Sequence, residues 1–467
     1  MSIIDQKMDL FAPELIALSD RIWSYAESSL QEFRSAKDSA DFLEKQGFTI
    51  ERNIAGIETA FVATWGCGEP KLGFLAEYDA LPGLSNLVAP YQEAIEGAAS
   101  GHGCGHNLLG VACAAAVLCL KEIMTEQNIA GTIIYYGCPA EENYSAKVPM
   151  VAEGVFKGLA AAFAYHPSSL HNVSLSSSVA NNSIKFTFKG RTAHAGGDPH
   201  NGRSALDAVE LMNVGANYLR EHVISDARIH YIITEGGKAP NIVPERAQVW
   251  YFIRAPKVNQ LNEIVNRMKK VAQGAAMMTE TEVEIVLESG VYNMLNNETL
   301  GRVVHQVMQD IPAPAWTDDE LNFASEMIKS IPEAQLVAKL ESLGEKVDAT
   351  IPLATRLNPM DGKGKVMTGS TDVSDVSWQV PTITFGTACY PWAGNGHSWM
   401  VTACSGHSIG HKGMLYAGKI MIEASLRLLA KPGILETAQE EHLKSIAGIE
   451  YKPYGDVPLP KFINPHK

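Results

Sequence analysis

The segment LLGVACAAAVLCLKEIM, residues 108–124, is rich in alanine and leucine and carries only one lysine and one glutamate. Such a segment has high helix propensity and almost no polar face, so it predicts a buried helix. Short apolar runs occur elsewhere in the chain, at 61–65, 72–76, 132–136, 159–165 and 381–385. Continuous apolar strands that alternate with helices predict an α/β domain with a mainly parallel sheet and helices on both faces.

The pattern changes in the middle of the chain. Ile184, Phe186 and Phe188 alternate with polar residues, which is the period of a half-exposed strand. The elements that follow read β-α-β-β-α-β, the ferredoxin-like split βαβ unit, and predict a smaller α+β domain inserted into the larger one. The predicted boundaries are 1–180 and 292–467 for the larger domain and 181–291 for the insert. After Pro432, scattered prolines predict an extended surface segment.

Composition excludes several classes of protein. A chain of 467 residues exceeds one ordinary core, which agrees with two domains. A net charge of −14 disfavours binding to nucleic acid or to an anionic membrane. The first residues carry charges where a signal peptide needs an unbroken apolar core, and seven cysteines show no paired spacing of a disulfide framework. We therefore expect a cytoplasmic protein with no nucleic-acid or membrane partner.

Polar side chains follow four of the predicted strands. These are Glu77 to Pro82 after 72–76, Gly137 to Glu142 after 132–136, His166 after 159–165, and Gly394 to His397 after 381–385. In open α/β sheets, ligands bind beyond the carboxyl ends of the strands, so the four clusters are expected to meet.

The run Gly103-Cys104-Gly105-His106 directly precedes the buried helix. In a loop, a Cys and a His two residues apart can point the same way, and the helix dipole favours a thiolate at Cys104. An isolated Cys-x-His pair is more often a buried cysteine beside a core histidine. The convergence of strand ends favours metal binding here.

Glu141 and Glu142 follow an apolar strand and a proline. Adjacent glutamates are usually a solvated pair, but this position holds at least one of them near the sheet. Two such carboxylates can divide two tasks, since one can bind a metal while the other takes a proton from water.

Several motifs together resemble a known family. They are Asp79-Ala80-Leu81-Pro82, Cys104-Gly105-His106, Pro139-Ala140-Glu141-Glu142, His166, Thr192-Ala193-His194-Ala195 and Asn241-Ile242-Val243-Pro244. In this order, over nearly the whole chain, they resemble the metal-dependent aminoacylase and carboxypeptidase family of metallopeptidases. The nearest branch contains amidohydrolases of hippurate, indole-acetyl-amino acids and p-aminobenzoyl-glutamate.

The resemblance implies two divalent metal ions, manganese or zinc, that are bridged by Cys104. It implies further metal ligands at His106, Glu142, His166 and His397. It gives Glu141 the role of general base, and it gives Asp79 the role of orienting a metal-binding group. His407 and His411 are alternatives to His397 as the last ligand.

The inserted domain resembles the family's lid or dimerisation domain. His194 matches a histidine that in several relatives reaches the active site of the partner subunit and polarises the scissile carbonyl. Asn241 and Arg254 match residues that bind the α-carboxylate of the substrate, although an Arg at that position can also simply end an edge strand in solvent. The resemblance implies a homodimer through this domain, with a related chain as the alternative partner.

The resemblance also implies an activity. We expect hydrolysis of the amide of an N-acyl or N-aroyl amino acid, with p-aminobenzoyl-glutamate yielding p-aminobenzoate and glutamate. The alternatives are a general aminoacylase, a dipeptidase, or a non-catalytic subunit of a hetero-oligomer. Two departures from the broader family stand out: Glu77 replaces a common Asp, and Gly369-Ser370-Thr371-Asp372 lacks the Glu of the commoner Gly-Ser-Glu-Asp.

Overall fold

The computed structural model of the protein describes residues 2–454 and 459–466. Its strands are β1 Thr49–Arg52, β2 Phe61–Cys67, β3 Lys71–Ala76, β4 Leu81–Pro82, β5 Ser100–Gly101, β6 Gly131–Gly137, β7 Ala161–Ser168, β8 Asn172–Val173, β9 Ser177–Ser178, β10 Ala180–Lys189, β11 Arg228–Glu235, β12 Arg246–Ala255, β13 Glu282–Val291, β14 Val366–Met367 and β15 Thr382–Ala388.

The α-helices within the same residues alternate with these strands in the first part of the chain and dominate its last part. They are α1 Ile3–Tyr25, α2 Phe33–Lys45, α3 His106–Gln127, α4 Lys147–Ala152, α5 Ala205–Leu219, α6 Val258–Thr279, α7 Glu298–Asp310, α8 Asp318–Lys329, α9 Glu333–Leu343, α10 Val373–Ser377, α11 Trp399–Ser405, α12 Ser408–Ala430 and α13 Pro432–Ile446.

A seven-stranded sheet in the order β1-β2-β6-β3-β7-β15-β8 forms the larger domain. Its four inner strands are parallel, whereas β2 and β8 pair antiparallel at the two sides. Side chains of β6 alternate between two cores: Ile133 and Tyr135 pack with α3, and Ile134 and Tyr136 pack with residues of α4 and α10. The predicted mainly parallel sheet with helices on both faces is confirmed.

Helix α3 contains the predicted buried segment and begins at His106, two residues before it. Gly105 precedes the helix with φ +80°, and a side chain there would meet Pro167 at the end of β7, so glycine is required by both conformation and space. By length and composition α3 is the one helix of the described residues that could cross a membrane, but it is the central core helix and most of it is buried.

The inserted domain has its own four-stranded antiparallel sheet, in the order β11-β12-β10-β13. Helices α5 and α6 cover one face, and Ile184, Phe186 and Phe188 of β10 are buried beneath them. The predicted β-α-β-β-α-β order is confirmed. The boundaries at residues 181 and 291 stay a prediction.

The segment after Pro432 differs from its prediction. Pro432 is the first residue of α13, where a proline is tolerated because the first helical N–H has no partner in any case. After this helix, residues 449–454 and 459–464 belong to no helix or strand, and the rest of the predicted segment, 455–458 and 467, lies outside the described residues. Within 449–454, Tyr451 packs against Tyr292, with ring centroids 4.6 Å apart, and its hydroxyl donates to Asp375 Oδ1 at 2.8 Å.

We expect Asp375→Asn to change how stability depends on pH. Burial raises the pKa of Asp375 to about 7, against about 3.9 for an unfolded aspartate. As pH rises from about 4 to 7, the folded state therefore loses up to about 1.4 kcal/mol per pH unit at this residue. The Asn variant lacks this loss, so its free energy of unfolding relative to the wild type should grow over that interval.

Chemical denaturation at several pH values between 4 and 7 measures this difference. Asp9→Asn is a suitable control because Asp9 is exposed on α1. A difference between wild type and Asp375→Asn that stays constant with pH would contradict the assignment.

Candidate metal centre

Side chains of the types that bind metals meet beside the sheet, where some come from the carboxyl ends of parallel strands and others from the loop before α3. Two groups of three have ligand atoms that lie within 4.8 Å of one another, Cys104 with His106 and His166, and Cys104 with Glu142 and His397. The Sγ atom of Cys104 is 3.3 Å from Nε2 of His166, and Oε2 of Glu142 is 3.4 Å from Nε2 of His397. Because both groups share Cys104, the geometry suits a thiolate between two cations. The individual ligand roles stay a prediction.

The donor atoms fit a cation better than they fit one another. Nε2 of His106 and Oε1 of Glu142 are buried, 3.9 Å apart, and without a hydrogen-bond partner. Leaving two such atoms unsatisfied in the interior costs about 1–3 kcal/mol each. Thiolate, imidazole and carboxylate together suit zinc or manganese, so a divalent ion is the natural partner of these atoms.

Asp79 contacts two residues of the ligand groups, His106 and Glu142, and holds them in place. Its carboxylate contacts Nδ1 of His106 at 2.8 Å, and it accepts hydrogen bonds from the backbone N–H of Glu142 at 3.0 Å and from Ser29 Oγ at 2.8 Å. Burial alone would raise the pKa of Asp79, but the hydrogen bond and charge of His106, together with the hydrogen bonds from Glu142 and Ser29, hold the pKa below its usual value. Asp79 thereby occupies Nδ1 and leaves Nε2 of His106 as the ring nitrogen that could bind a metal.

We expect Asp79→Asn to lower metal affinity by about 10–100-fold, the usual effect of losing such a supporting carboxylate. An amide can still bond to the imidazole but does not hold it in one tautomer. Titration of the metal-free protein with Zn²⁺ measures the change, and Ser29→Ala, which removes a partner of the other Asp79 oxygen, is the milder control. Unchanged affinity in Asp79→Asn would exclude the orienting role.

A strained turn presents the two glutamates. Ala140 has φ +57°, an unfavourable conformation for alanine, and its N–H donates to the buried Glu32 Oε1 at 2.8 Å. Glu142 then faces the ligand cluster, and Glu141 lies near Glu77 and His106 in a third group of possible ligands. Burial, together with the negative charges of Glu77 and Asp372, raises the pKa of Glu141 well above its usual value.

The thiolate at Cys104 that the sequence predicts from the dipole of α3 stays a prediction. Burial raises the pKa of Cys104 to about 12, although the neighbouring His106 acts to lower it. A bound cation would favour the thiolate, because it deprotonates a coordinating thiol.

Of the three histidines considered for the last ligand, His397 lies in the cluster. The other two have different partners: the ring of His407 stacks on Phe323 at 4.1 Å, and Nε2 of His411 is 2.9 Å from Asp20. His397 adopts φ +56°, and its N–H donates to the carbonyl of Gly103 at 2.9 Å, which fixes this loop against the Cys104 loop.

The predicted substrate residues lie in the inserted domain, outside the two ligand groups. His194 is exposed, and Nδ1 of its ring accepts from the N–H groups of Gly196 and Gly197 at 3.1 and 2.9 Å. Asn241 is exposed, and its backbone carbonyl accepts from the N–H of Ala195. Nη1 of Arg254 donates to the carbonyl of Thr368 at 3.0 Å, while its Nε is buried without a partner.

The sequence assigns no role to three charged residues beside the centre, although it places Glu77 in one of the polar clusters that are expected to meet there. Glu77 and Asp372 lie in motifs that depart from the family pattern, but nothing in the sequence marks Lys147. A fully buried lysine is rare unless it is paired, and here Lys147 binds both Glu77 and Asp372.

Comparison with known proteins agrees with this architecture. A family model described as a peptidase dimerisation domain matches residues 180–277, which include β10 to β12. A dinuclear metal-binding peptidase of the M20 family from Bacillus subtilis shares the fold, with a TM-score of 0.58 at 17% identity over 90% of this chain and 99% of that one. An aminobenzoyl-glutamate utilization protein from Klebsiella pneumoniae has a TM-score of 0.58 at 18% identity, over 88% and 98%.

Two relatives found by sequence share a higher identity with the chain than these two structures do. The chain is 38% identical to one of the subunits of p-aminobenzoyl-glutamate hydrolase from Escherichia coli (strain K12), over 99% of this chain and 98% of that protein. It is 28% identical to the Xaa-Arg dipeptidase of Mus musculus, over 93% and 90%. The chain therefore belongs to the M20 family, metal-dependent hydrolases of amide bonds that include the aminoacylases and carboxypeptidases its motifs resemble.

Proposed function

We propose that this enzyme hydrolyses p-aminobenzoyl-glutamate to p-aminobenzoate and glutamate at a centre of two divalent metal ions. The observation that carries the proposal is the pair of ligand groups that share Cys104, with Glu141 beside them. The extent of the resemblance to the Escherichia coli hydrolase, at 38% identity over nearly the full length of both chains, supports the choice of substrate.

The ions would be held by Cys104, His106, Glu142, His166 and His397. When bound, they lower the pKa of water and polarise the scissile carbonyl. Glu141 takes the proton of the attacking water and delivers it to the leaving amine of glutamate. Its position beside His106 and Glu77, next to the two ligand groups, suits this role, because a general base must lie within hydrogen-bond reach of the proton that it moves.

His194 and Arg254 are proposed to bind the substrate. Because Nδ1 of His194 accepts two backbone hydrogen bonds, its ring proton is placed on Nε2, which can donate to the developing oxyanion. The buried, unpartnered Nε of Arg254 offers a donor to the α-carboxylate, with Asn241 as a further donor.

The inserted domain is proposed to form a homodimer, with a related chain as the alternative partner. Its edge strand β11 exposes Ile232 and Ile233, and α5 exposes Val214 and Tyr218. Such apolar side chains on an unpaired sheet edge and the adjoining helix are typical of an association surface.

The cytoplasm is the proposed location, because all seven cysteines are free and several are buried. Manganese and zinc are both proposed as the metal. A set of one thiolate, three imidazoles and a carboxylate contains donors that suit each of these ions.

Release of p-aminobenzoate from p-aminobenzoyl-glutamate, followed with Mn²⁺ and with Zn²⁺ added to the metal-free protein, tests the proposal directly. Activity of the purified chain alone would exclude the non-catalytic role. Absence of turnover with either metal would refute the proposed reaction for the chain on its own.

A dipeptidase is the second candidate, favoured by the resemblance to the Xaa-Arg dipeptidase. Both reactions release one amino acid with a free α-carboxylate, so the same Arg254 contact would serve either. Dipeptides that end in arginine, and N-acetyl amino acids for a general aminoacylase, belong in the same substrate panel. The substrate with the highest kcat/KM decides among the three.

A further inference from the structure

Lys147 forms a buried ion cluster beside the candidate metal centre. Its side chain is fully buried at the start of α4. Nζ contacts Oε1 of Glu77 at 2.5 Å and Oδ1 of Asp372 at 2.7 Å, and the backbone N–H donates to Oδ2 of Asp372 at 2.9 Å. One ammonium is thus shared by two carboxylates that are themselves buried.

The carboxylates of Asp372 and Glu77 differ in how many of their oxygens contact Lys147. Both oxygens of Asp372 bind Lys147, one through the ammonium and one through the backbone. Glu77 gives Lys147 only Oε1, and its Oε2 lies 3.2 Å from Nε2 of His106. Asp79 already occupies Nδ1 of that ring, so Glu77 faces the nitrogen that is left for a metal.

The contact between Oε2 of Glu77 and Nε2 of His106 does not have the geometry of a hydrogen bond. Nε2 of His106 has no hydrogen-bond partner and is completely buried. Glu77, His106 and Glu141 also form a group whose ligand atoms lie within 4.8 Å of one another. Three donor atoms of this kind around one point are what a divalent ion requires.

Stabilisation of the fold alone does not explain the ion cluster, because its burial costs free energy. Burying three charges carries a desolvation penalty that an apolar trio of similar volume would avoid. A positioning role accounts for it, because an ammonium that holds one oxygen of a carboxylate fixes the direction of the other.

We propose that Glu77 is a further carboxylate contact of the ion held by His106, and that Lys147 is the positioning residue that aims it. The inference rests on the two-metal centre of the proposed function. Asp372 is the second carboxylate partner of Lys147, and both of its oxygens bind that residue and not the ion.

Glu77→Gln and Asp372→Asn form a matched pair of tests. Each removes one negative charge from the same cluster and leaves Lys147 paired with the other carboxylate. In Glu77→Gln, an amide N–H replaces the oxygen opposite His106. We expect it to weaken Mn²⁺ binding at one of the two sites by about 10–100-fold, and Asp372→Asn by less than about threefold.

Calorimetric titration of the metal-free protein with Mn²⁺ measures both affinities. Lys147→Met should weaken the same site as Glu77→Gln, and the double variant should lose no more than either single one. Should Lys147→Met fail to fold, the pair Glu77→Gln and Asp372→Asn still decides. Equal losses in that pair, or wild-type affinity in Glu77→Gln, would overturn the proposal.

Cys104→Ala separates this inference from the proposed function. If Cys104→Ala loses metal while Glu77→Gln keeps wild-type affinity at both sites, Glu77 is not a contact and the two-metal centre stands. If Cys104→Ala also binds two ions with unchanged affinity, the centre itself is wrongly assigned.

Discussion

Replacement of Glu141 by Gln is expected to lower kcat by at least about a thousandfold, within the range known for loss of a general base. Glutamine has nearly the same size but cannot accept a proton from water and pass it on. Glu141 lies in the group with Glu77 and His106, next to the two ligand groups that share Cys104, so the proton has a short path. KM should change little because the proposed substrate contacts lie in the inserted domain.

Metal content distinguishes this effect from loss of the centre. Glu141→Gln should retain both ions, whereas Glu142→Gln, which changes the adjacent carboxylate, should lose metal affinity because Oε1 and Oε2 of Glu142 face His106 and His397. A near-normal kcat in Glu141→Gln would refute its role as the base. Loss of metal in that variant would move Glu141 to the ligand set.

Much of this arrangement was predictable because it depends on local pattern and on the geometry of parallel sheets. Apolar runs marked the strands, and the carboxyl ends of parallel strands share one edge, so Asp79, Glu142 and His166 had to approach one another. The split βαβ insert was visible in the alternation of Ile184, Phe186 and Phe188. The start of α13 was missed because a proline at a first helical position resembles a proline in a loop.

Other features depend on contacts between distant parts of the chain. Lys147 and Asp372 are 225 residues apart, and neither the sequence near Lys147 nor its charge indicates burial. The antiparallel pairing of β2 with β6 and of β8 with β15 is decided by tertiary packing and not by strand composition. The sequence of the turn at Ala140 contains no glycine that would indicate a positive φ. The structure shows this φ together with the hydrogen bond from the Ala140 N–H to Glu32, a residue far away in the sequence.

Replacement of Cys104 by Ala is expected to remove the shared donor of both ligand groups. The remaining donors would divide into His106 with His166 and Glu142 with His397, two pairs with no common atom. We expect metal affinity to fall by more than the roughly 10–100-fold typical of changes outside the coordination sphere, and turnover to fall with it. Cys113→Ala, a change at a buried thiol of the helix that follows, should leave both unchanged.

The variant Cys104→Asp tests whether the loss is one of bridging or of packing. Aspartate has two oxygens that can bind two ions. It should therefore recover more of the metal content than alanine does, measured by elemental analysis after removal of loosely bound ions. If the Cys104→Ala and Cys104→Asp variants bind equally little metal, the site requires sulfur. If the Cys104→Ala variant binds two ions with normal affinity, Cys104 does not bridge them.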